Sequence, residues 1–288
     1  MKSYKDYAEI VFQEKMVELD TGIKMAYYEF GMENSVPLLL IHGITDGCVS
    51  WTQMIPELTG RGYHLYIIEY RGNGMTDKPE ADECGYTAEM IAGDIINWMD
   101  KTGIKQIHLT GHSYGSMISQ VLEARYPERF LTCILMDTGV ECKGDLITLA
   151  KEGDGKFLGM DAYEEYLPED FCEEWMATSN EDPDFRESVA AHLKQMPVAA
   201  FRNLIHGLEH YDGSSWLSMI KAPVSIVWGS EDDVFTALDQ EKVKQALSAA
   251  AINWVEVPGA SHNGFWDSRA RAREYAAIID RCIKKESL

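Results

Sequence analysis

Six short apolar runs, Leu38 to Ile41, Leu65 to Ile68, Ile107 to Thr110, Cys133 to Met136, Val224 to Trp228 and Trp254 to Val257, punctuate this 288-residue chain. Their hydrophobicity is mostly continuous rather than alternating, which is the pattern of strands buried on both faces and hence of a parallel sheet. Helix-like segments lie between or after several of them: Ala88 to Lys101, Ser116 to Tyr126, Ala237 to Leu247 and Asp267 to Ile283. Alternating strand and helix make the fold class α/β. Two further candidate strands, around Lys15 to Leu19 and Lys24 to Glu29, are joined by Asp20-Thr21-Gly22, whose turn chemistry suits a hairpin. The expectation is a mostly parallel sheet of eight strands flanked by helices.

The rhythm changes from about Thr138 to Met219, where no buried-strand run appears and the segment is helix-like, acidic and aromatic. Proline stands where a first helical turn tolerates it, at Pro168-Glu169-Asp170, Asp182-Pro183-Asp184 and Pro197-Val198. Residues 138–219 therefore form an expected helical insertion, and residues 1–137 and 220–288 form the α/β core. No internal repeat or low-complexity tract interrupts this plan.

At 45% hydrophobic, a chain of this length can bury a large core. The 26 basic residues are outnumbered by 47 acidic ones, giving a net charge of −21 that argues against nucleic-acid partners and against docking on anionic membrane. No stretch approaches a membrane span, and the N-terminus lacks the apolar core of a signal peptide. Six scattered cysteines without a CxxC pair fit reduced thiols, so the expected location is cytoplasmic. Oligomeric state leaves no mark in the sequence.

Gly111-His112-Ser113-Tyr114-Gly115 falls where one apolar run hands over to a helix-like run. A nucleophilic serine must stand clear of the sheet on such a turn, and glycines two residues on either side remove side chains that would collide there. A serine hydroxyl also needs a base, and the base an orienting acid. The chain offers His262 after the run ending at Val257. For the acid it offers Asp232, with Asp233 adjacent and Asp137 just after the run ending at Met136. Donors for a developing oxyanion are assigned to the backbone N–H groups of Ile44, in the loop after Leu38 to Ile41, and of Tyr114, just after the serine.

These segments resemble the α/β-hydrolase superfamily, in its capped, esterase-like branch. The resemblance is carried by His42-Gly43 with Thr45-Asp46-Gly47 and Ser50-Trp51, by Glu69 to Thr76, by Gly111 to Ser116, by Tyr126 to Arg129, by Trp228 to Asp232 and by Gly259 to His262. It implies an α/β-hydrolase fold with residues 138–219 as a helical cap, and a triad in the order Ser113, Asp232, His262. The resemblance also implies Asp232 over its rivals, since the family's acid stands three residues past the glycine that matches Gly229. Family members usually show Asp and Ser where Glu69 and Thr76 stand, and often Gly at Ser116, so the departures lie outside the triad.

The expected activity is a serine hydrolase cleaving an ester or lactone of a small, fairly apolar molecule through an acyl-enzyme. Aminopeptidase-like amide cleavage, carbon–carbon bond hydrolysis and perhydrolysis share the same parts, and a ligand-binding receptor can retain them. Dehalogenase and epoxide-hydrolase chemistry need a carboxylate where Ser113 stands. No cofactor or metal is expected: His206 and His210 have ligand spacing but no HExxH glutamate or third ligand, so they are assigned to helix surface or packing. His42 is expected to brace the oxyanion loop, His112 to be structural, and Cys48 to be a buried, inert thiol. Phe157, Tyr163, Tyr166, Phe171, Trp175 and Phe201 are expected in the cap's own core rather than in a pocket.

Overall fold

A computed structural model describes residues 10–142 and 165–285, and in it the apolar runs become one eight-stranded sheet. The strands are β1 (Lys15–Glu18), β2 (Lys24–Phe30), β3 (Val36–Ile41), β4 (Tyr63–Glu69), β5 (Ile107–His112), β6 (Phe130–Met136), β7 (Val224–Gly229) and β8 (Ile252–Val257). They lie in the order β1-β2-β4-β3-β5-β6-β7-β8. From β4 to β8 every neighbouring pair is parallel, while the hairpin β1–β2 is antiparallel and joins β4 antiparallel. Leu38 to Ile41 in β3 are fully buried, which explains their unbroken hydrophobicity. Each such side chain contributes about 1.5–3 kcal/mol by leaving water.

The helices are α1 (Ile55–Thr59), α2 (Ala88–Thr102), α3 (Tyr114–Arg125), α4 (Glu169–Trp175), α5 (Pro183–Leu193), α6 (Val198–Glu209), α7 (Ser214–Met219), α8 (Ala237–Ala246) and α9 (Arg269–Lys284). Their ends follow local chemistry. The Thr87 side chain accepts the Met90 N–H to start α2, and Gly103 ends it in the left-handed conformation. Thr236 and Asp239 cap each other reciprocally at the start of α8. Pro183 occupies the first turn of α5 as expected, whereas Pro168 and Pro197 stand one residue before α4 and α6.

Among the described residues, segment 138–219 supplies α4 to α7 and contributes no strand to the sheet; its one β-type pairing is an isolated bridge between Tyr166 and Pro197. Helix α6 is amphipathic, burying Val198, Phe201, Leu204, Ile205 and Leu208. No helix among the described residues is long and apolar enough to cross a membrane. Because β3, β5, β6, β7 and β8 run the same way, the loops after Ile41, His112, Met136, Gly229 and Val257 emerge at one edge. Ligands of parallel sheets bind at that edge.

Candidate active site

The turn from β5 into α3 is built by close backbone approach. A Cβ on Gly111 would meet the Gly115 carbonyl oxygen at 2.3 Å, and one on Gly115 would meet the carbonyl oxygens of Ile41 and His42 at 2.4 Å. Either contact is far inside van der Waals distance, so only glycine fits. Between them Ser113 sits at φ 53°, ψ −121°, a conformation that L side chains rarely adopt. This strained turn sets Oγ at the edge of the sheet, inside a cavity of about 470 Å³.

Ser113 Oγ lies 2.9 Å from His262 Nε2. The other ring nitrogen, Nδ1, stands 3.1 and 3.0 Å from the two carboxylate oxygens of Asp232. Asp232 Oδ1 also accepts the backbone N–H groups of Val234 at 2.8 Å and Phe235 at 2.9 Å, which fixes the carboxylate from behind. The competing carboxylates face elsewhere: Asp233 is exposed, and Asp137 accepts the Gly229 N–H at 2.8 Å while its free oxygen stands 4.0 Å from His112 Nε2. Burial, reinforced by the nearby Asp232 charge, holds the Asp137 carboxyl well above its usual range. A hydroxyl bonded to an imidazole whose far nitrogen is held by a carboxylate is able to pass its proton to the ring as its oxygen attacks.

The loop after β3 is braced on all sides. The Gly43 carbonyl oxygen accepts from Tyr70 Oη at 2.6 Å and from His42 Nδ1 at 2.7 Å, and the Gly43 N–H donates to Asp46 Oδ2 at 3.0 Å. His42 also stacks on Tyr70. Ile44, the next residue, lines the cavity, and Tyr114 opens α3, where a first-turn N–H has no helical partner. His112 is tied to the site rather than only to the core: its Nε2 donates to the His262 carbonyl oxygen at 2.9 Å, and its Nδ1 stands 3.3 Å from Asp46. Burial acts to raise Asp46, but His112, His42 and His262 outweigh it and hold that carboxyl below its ordinary value.

The cavity is also lined by Phe171, Trp175, Met176, Val234, Asn263 and Trp266. The aromatic residues of the insertion thus divide. Phe201 is fully buried and packs its ring against Phe171 and Trp175, as expected of a core, while Phe171 and Trp175 present themselves to the cavity. Tyr166 is half exposed, and Phe157 and Tyr163 lie outside the described residues. The Trp175 indole N–H donates to Thr45 Oγ1 at 2.8 Å, linking α4 to the loop after β3. His210 Nδ1 is bonded to the His206 carbonyl oxygen at 2.7 Å, a helix-terminal contact.

A family model for the alpha/beta hydrolase fold matches residues 36–162. A crystal structure of the enol-lactonase from Burkholderia xenovorans superposes with a TM-score of 0.73 at 19% identity, over 94% of this chain and 100% of that one. The chain has the α/β-hydrolase fold. Among curated relatives of this chain, the 2-hydroxy-6-oxononadienedioate/2-hydroxy-6-oxononatrienedioate hydrolase of Burkholderia vietnamiensis is 25% identical over 247 residues, covering 78% of this chain and 80% of the relative. Lipase 3 of a Moraxella species is 27% identical over 246 residues, covering 83% and 76%. These relatives are hydrolases by name.

Proposed function

We propose that this α/β hydrolase is a serine hydrolase that cleaves an ester or lactone of a small, fairly apolar molecule through an acyl-enzyme on Ser113. The observation that carries the reading is the 2.9 Å contact between Ser113 Oγ and His262 Nε2 inside a cavity, with Asp232 on the far side of the ring. His262 takes the hydroxyl proton as Oγ bonds to the acyl carbon, and the carbonyl electrons move onto oxygen. The Ile44 and Tyr114 amides hold that oxyanion; the Gly43 N–H is already given to Asp46, so Ile44 is the first amide of the loop left for it. The intermediate collapses, the alcohol leaves with the proton from His262, and His262 next draws a proton from water. Hydroxide character at that water attacks the acyl carbon, and Ser113 Oγ leaves with its proton restored.

Residues 138–219 act in this reading as a cap whose Phe171, Trp175 and Met176 shape the acyl or alcohol pocket. Among the described residues, the cavity lining contains the carboxylates Asp46 and Glu174 and no lysine or arginine. That lining supports a neutral ester or lactone over a dianionic substrate such as the dioate named for the Burkholderia vietnamiensis relative. A panel of p-nitrophenyl esters of graded acyl length, neutral lactones, aminoacyl amides and a dioate, run with a fluorophosphonate labelling assay, tests the reading. Rapid labelling of Ser113 with turnover of neutral esters or lactones is expected. Full ester hydrolysis by Ser113→Ala, or tight ligand binding with no labelling, would overturn it.

A further inference from the structure

A second polar cluster lies apart from the serine, beneath α5, where cap and core meet. It gathers Glu69 from the end of β4, His42 after β3, Cys48 at the start of a short 3-10 turn, and His192 from the last turn of α5. Glu69 and His42 are fully buried, Cys48 is buried, and the His192 side chain is 9% exposed. Glu69 Oε1 is satisfied by the Cys48 N–H at 2.7 Å. Oε2 is not: it has no hydrogen-bond partner, and neither has His42 Nε2 or His192 Nε2, which stand 3.4 and 3.5 Å from it. Buried polar atoms left this way are costly.

The tautomer sharpens the problem. His42 Nδ1 faces the Gly43 carbonyl oxygen at 2.7 Å, so Nδ1 carries the hydrogen. In the neutral ring Nε2 is then a bare lone pair, and it points at a carboxylate oxygen. Two acceptors facing each other in a dry site need a proton or a metal cation between them. The Cys48 Sγ, a Glu69 carboxylate oxygen and a His192 ring nitrogen all lie within 4.8 Å of one another, which completes a nitrogen, oxygen and sulfur donor set.

We infer that Cys48, Glu69 and His192, with His42 as the nearest further donor, form a site for a zinc-class divalent cation that fastens the cap helix α5 to the loop preceding the active site. Bonds of about 2.0–2.1 Å from tetrahedral zinc to nitrogen and oxygen place neighbouring donors about 3.3–3.4 Å apart, close to the 3.5 Å between Glu69 Oε2 and His192 Nε2, while His42 approaches only Glu69 and lies outside the mutually close set. A thiolate and a carboxylate neutralise a divalent charge, so the buried site carries no net charge. Sulfur and imidazole select zinc or cobalt over magnesium or calcium. Room for His192 is made by Gly47, where a Cβ would lie 1.9 Å from the ring Nε2. Glu69 stands where the family usually has the shorter Asp, and its additional methylene carries the carboxylate farther from the strand. The ligands come from distant segments, so no linear metal motif announces them.

The test uses the intact protein, stripped by chelator dialysis and titrated with Zn²⁺ by calorimetry and with Co²⁺ by absorption. A single saturable equivalent per chain is expected, with a thiolate-to-cobalt charge-transfer band. Cys48→Ser should lose the band, and His192→Ala should weaken binding at least about tenfold, since each removes one ligand. Circular dichroism of the metal-free variants confirms that they are folded, and His192→Asn replaces any His192→Ala protein that is not. Absence of saturable binding to the wild type, or binding unchanged in both variants, overturns the site and leaves the Ser113 reading untouched.

Discussion

The turn from β5 into α3 and helix α4 of segment 138–219 border the same cavity, but the turn and the helical segment are held by different means. At the turn, position is set by backbone meeting backbone: Gly111 against Gly115, and Gly115 against the carbonyls of Ile41 and His42. In the helical segment, side chains reaching across to the core, such as Trp175 to Thr45 and Asn180 to the Trp266 carbonyl, share that task with a backbone bond from the Tyr86 N–H to the Asn203 carbonyl oxygen in α6. The first arrangement tolerates almost no change of residue type, and the second is free to vary with substrate. Fixed chemistry on one wall and adjustable shape on the other follow from that difference.

The largest expected effect breaks the fixed wall. Ser113→Ala should lower kcat/KM for a good ester by roughly 10⁴- to 10⁶-fold with the fold intact, measured by steady-state kinetics and circular dichroism. A drop of less than tenfold would mean that the contact with His262 is incidental.

The same wall carries a penalty of its own, because α3 buries Glu123 near β6. Burial raises its carboxyl from 4.5 to about 7. The folded state thus binds a proton that the unfolded chain has released, so stability falls as pH rises from about 4.5 to about 7. Glu123→Gln should gain on the wild type by about 2–4 kcal/mol between pH 5 and pH 8 in urea denaturation. A difference independent of pH would contradict this account.

Gly115→Ala should destabilise by about 1–3 kcal/mol, since the new methyl is driven into two carbonyl oxygens at 2.4 Å. Denaturant midpoints of this variant against Gly207→Ala sharpen the comparison within one kind of contact. Gly207 lies in α6, and a Cβ there would meet the Tyr86 carbonyl oxygen at 1.9 Å, while one on Gly85 would meet the Asn203 carbonyl oxygen of α6 at 2.1 Å, so close backbone contacts tie α6 to the core as well.

The smallest effect belongs to the adjustable wall. Trp175→Phe keeps an aromatic ring in the cavity but removes the hydrogen bond to Thr45, costing about 0.5–1.5 kcal/mol. It should change KM and acyl-length preference more than kcat. An equal fall of kcat across all esters would place Trp175 with the fixed wall instead.

Much of this molecule was legible in its residues. The strands were marked because a parallel sheet buries both faces, leaving runs such as Leu38 to Ile41 without a polar residue. Ser113 and His262 were marked by glycines and by loop positions at strand ends, whereas the preference for Asp232 over Asp233 and Asp137 rested on the family resemblance. The walls of the pocket were harder. Phe171, Trp175 and Phe201 share helical spacing and ring type, yet the first two line the cavity and the third is sealed behind them. Periodicity reports which face of a helix is apolar, and it is blind to whether that face meets protein or substrate.

The sequence by itself determined the α/β class, the hydrophobic runs that become strands and the loops that carry the candidate site residues, because those depend on local period and on steric rules that single positions obey. Only the tertiary structure decided that Asp137 turns to Gly229 while Asp232 meets His262, that His112 holds the His262 carbonyl, and that His192 descends on Glu69. Those pairings join segments far apart in the chain. Which buried polar atoms meet is fixed by packing and leaves no spacing to read.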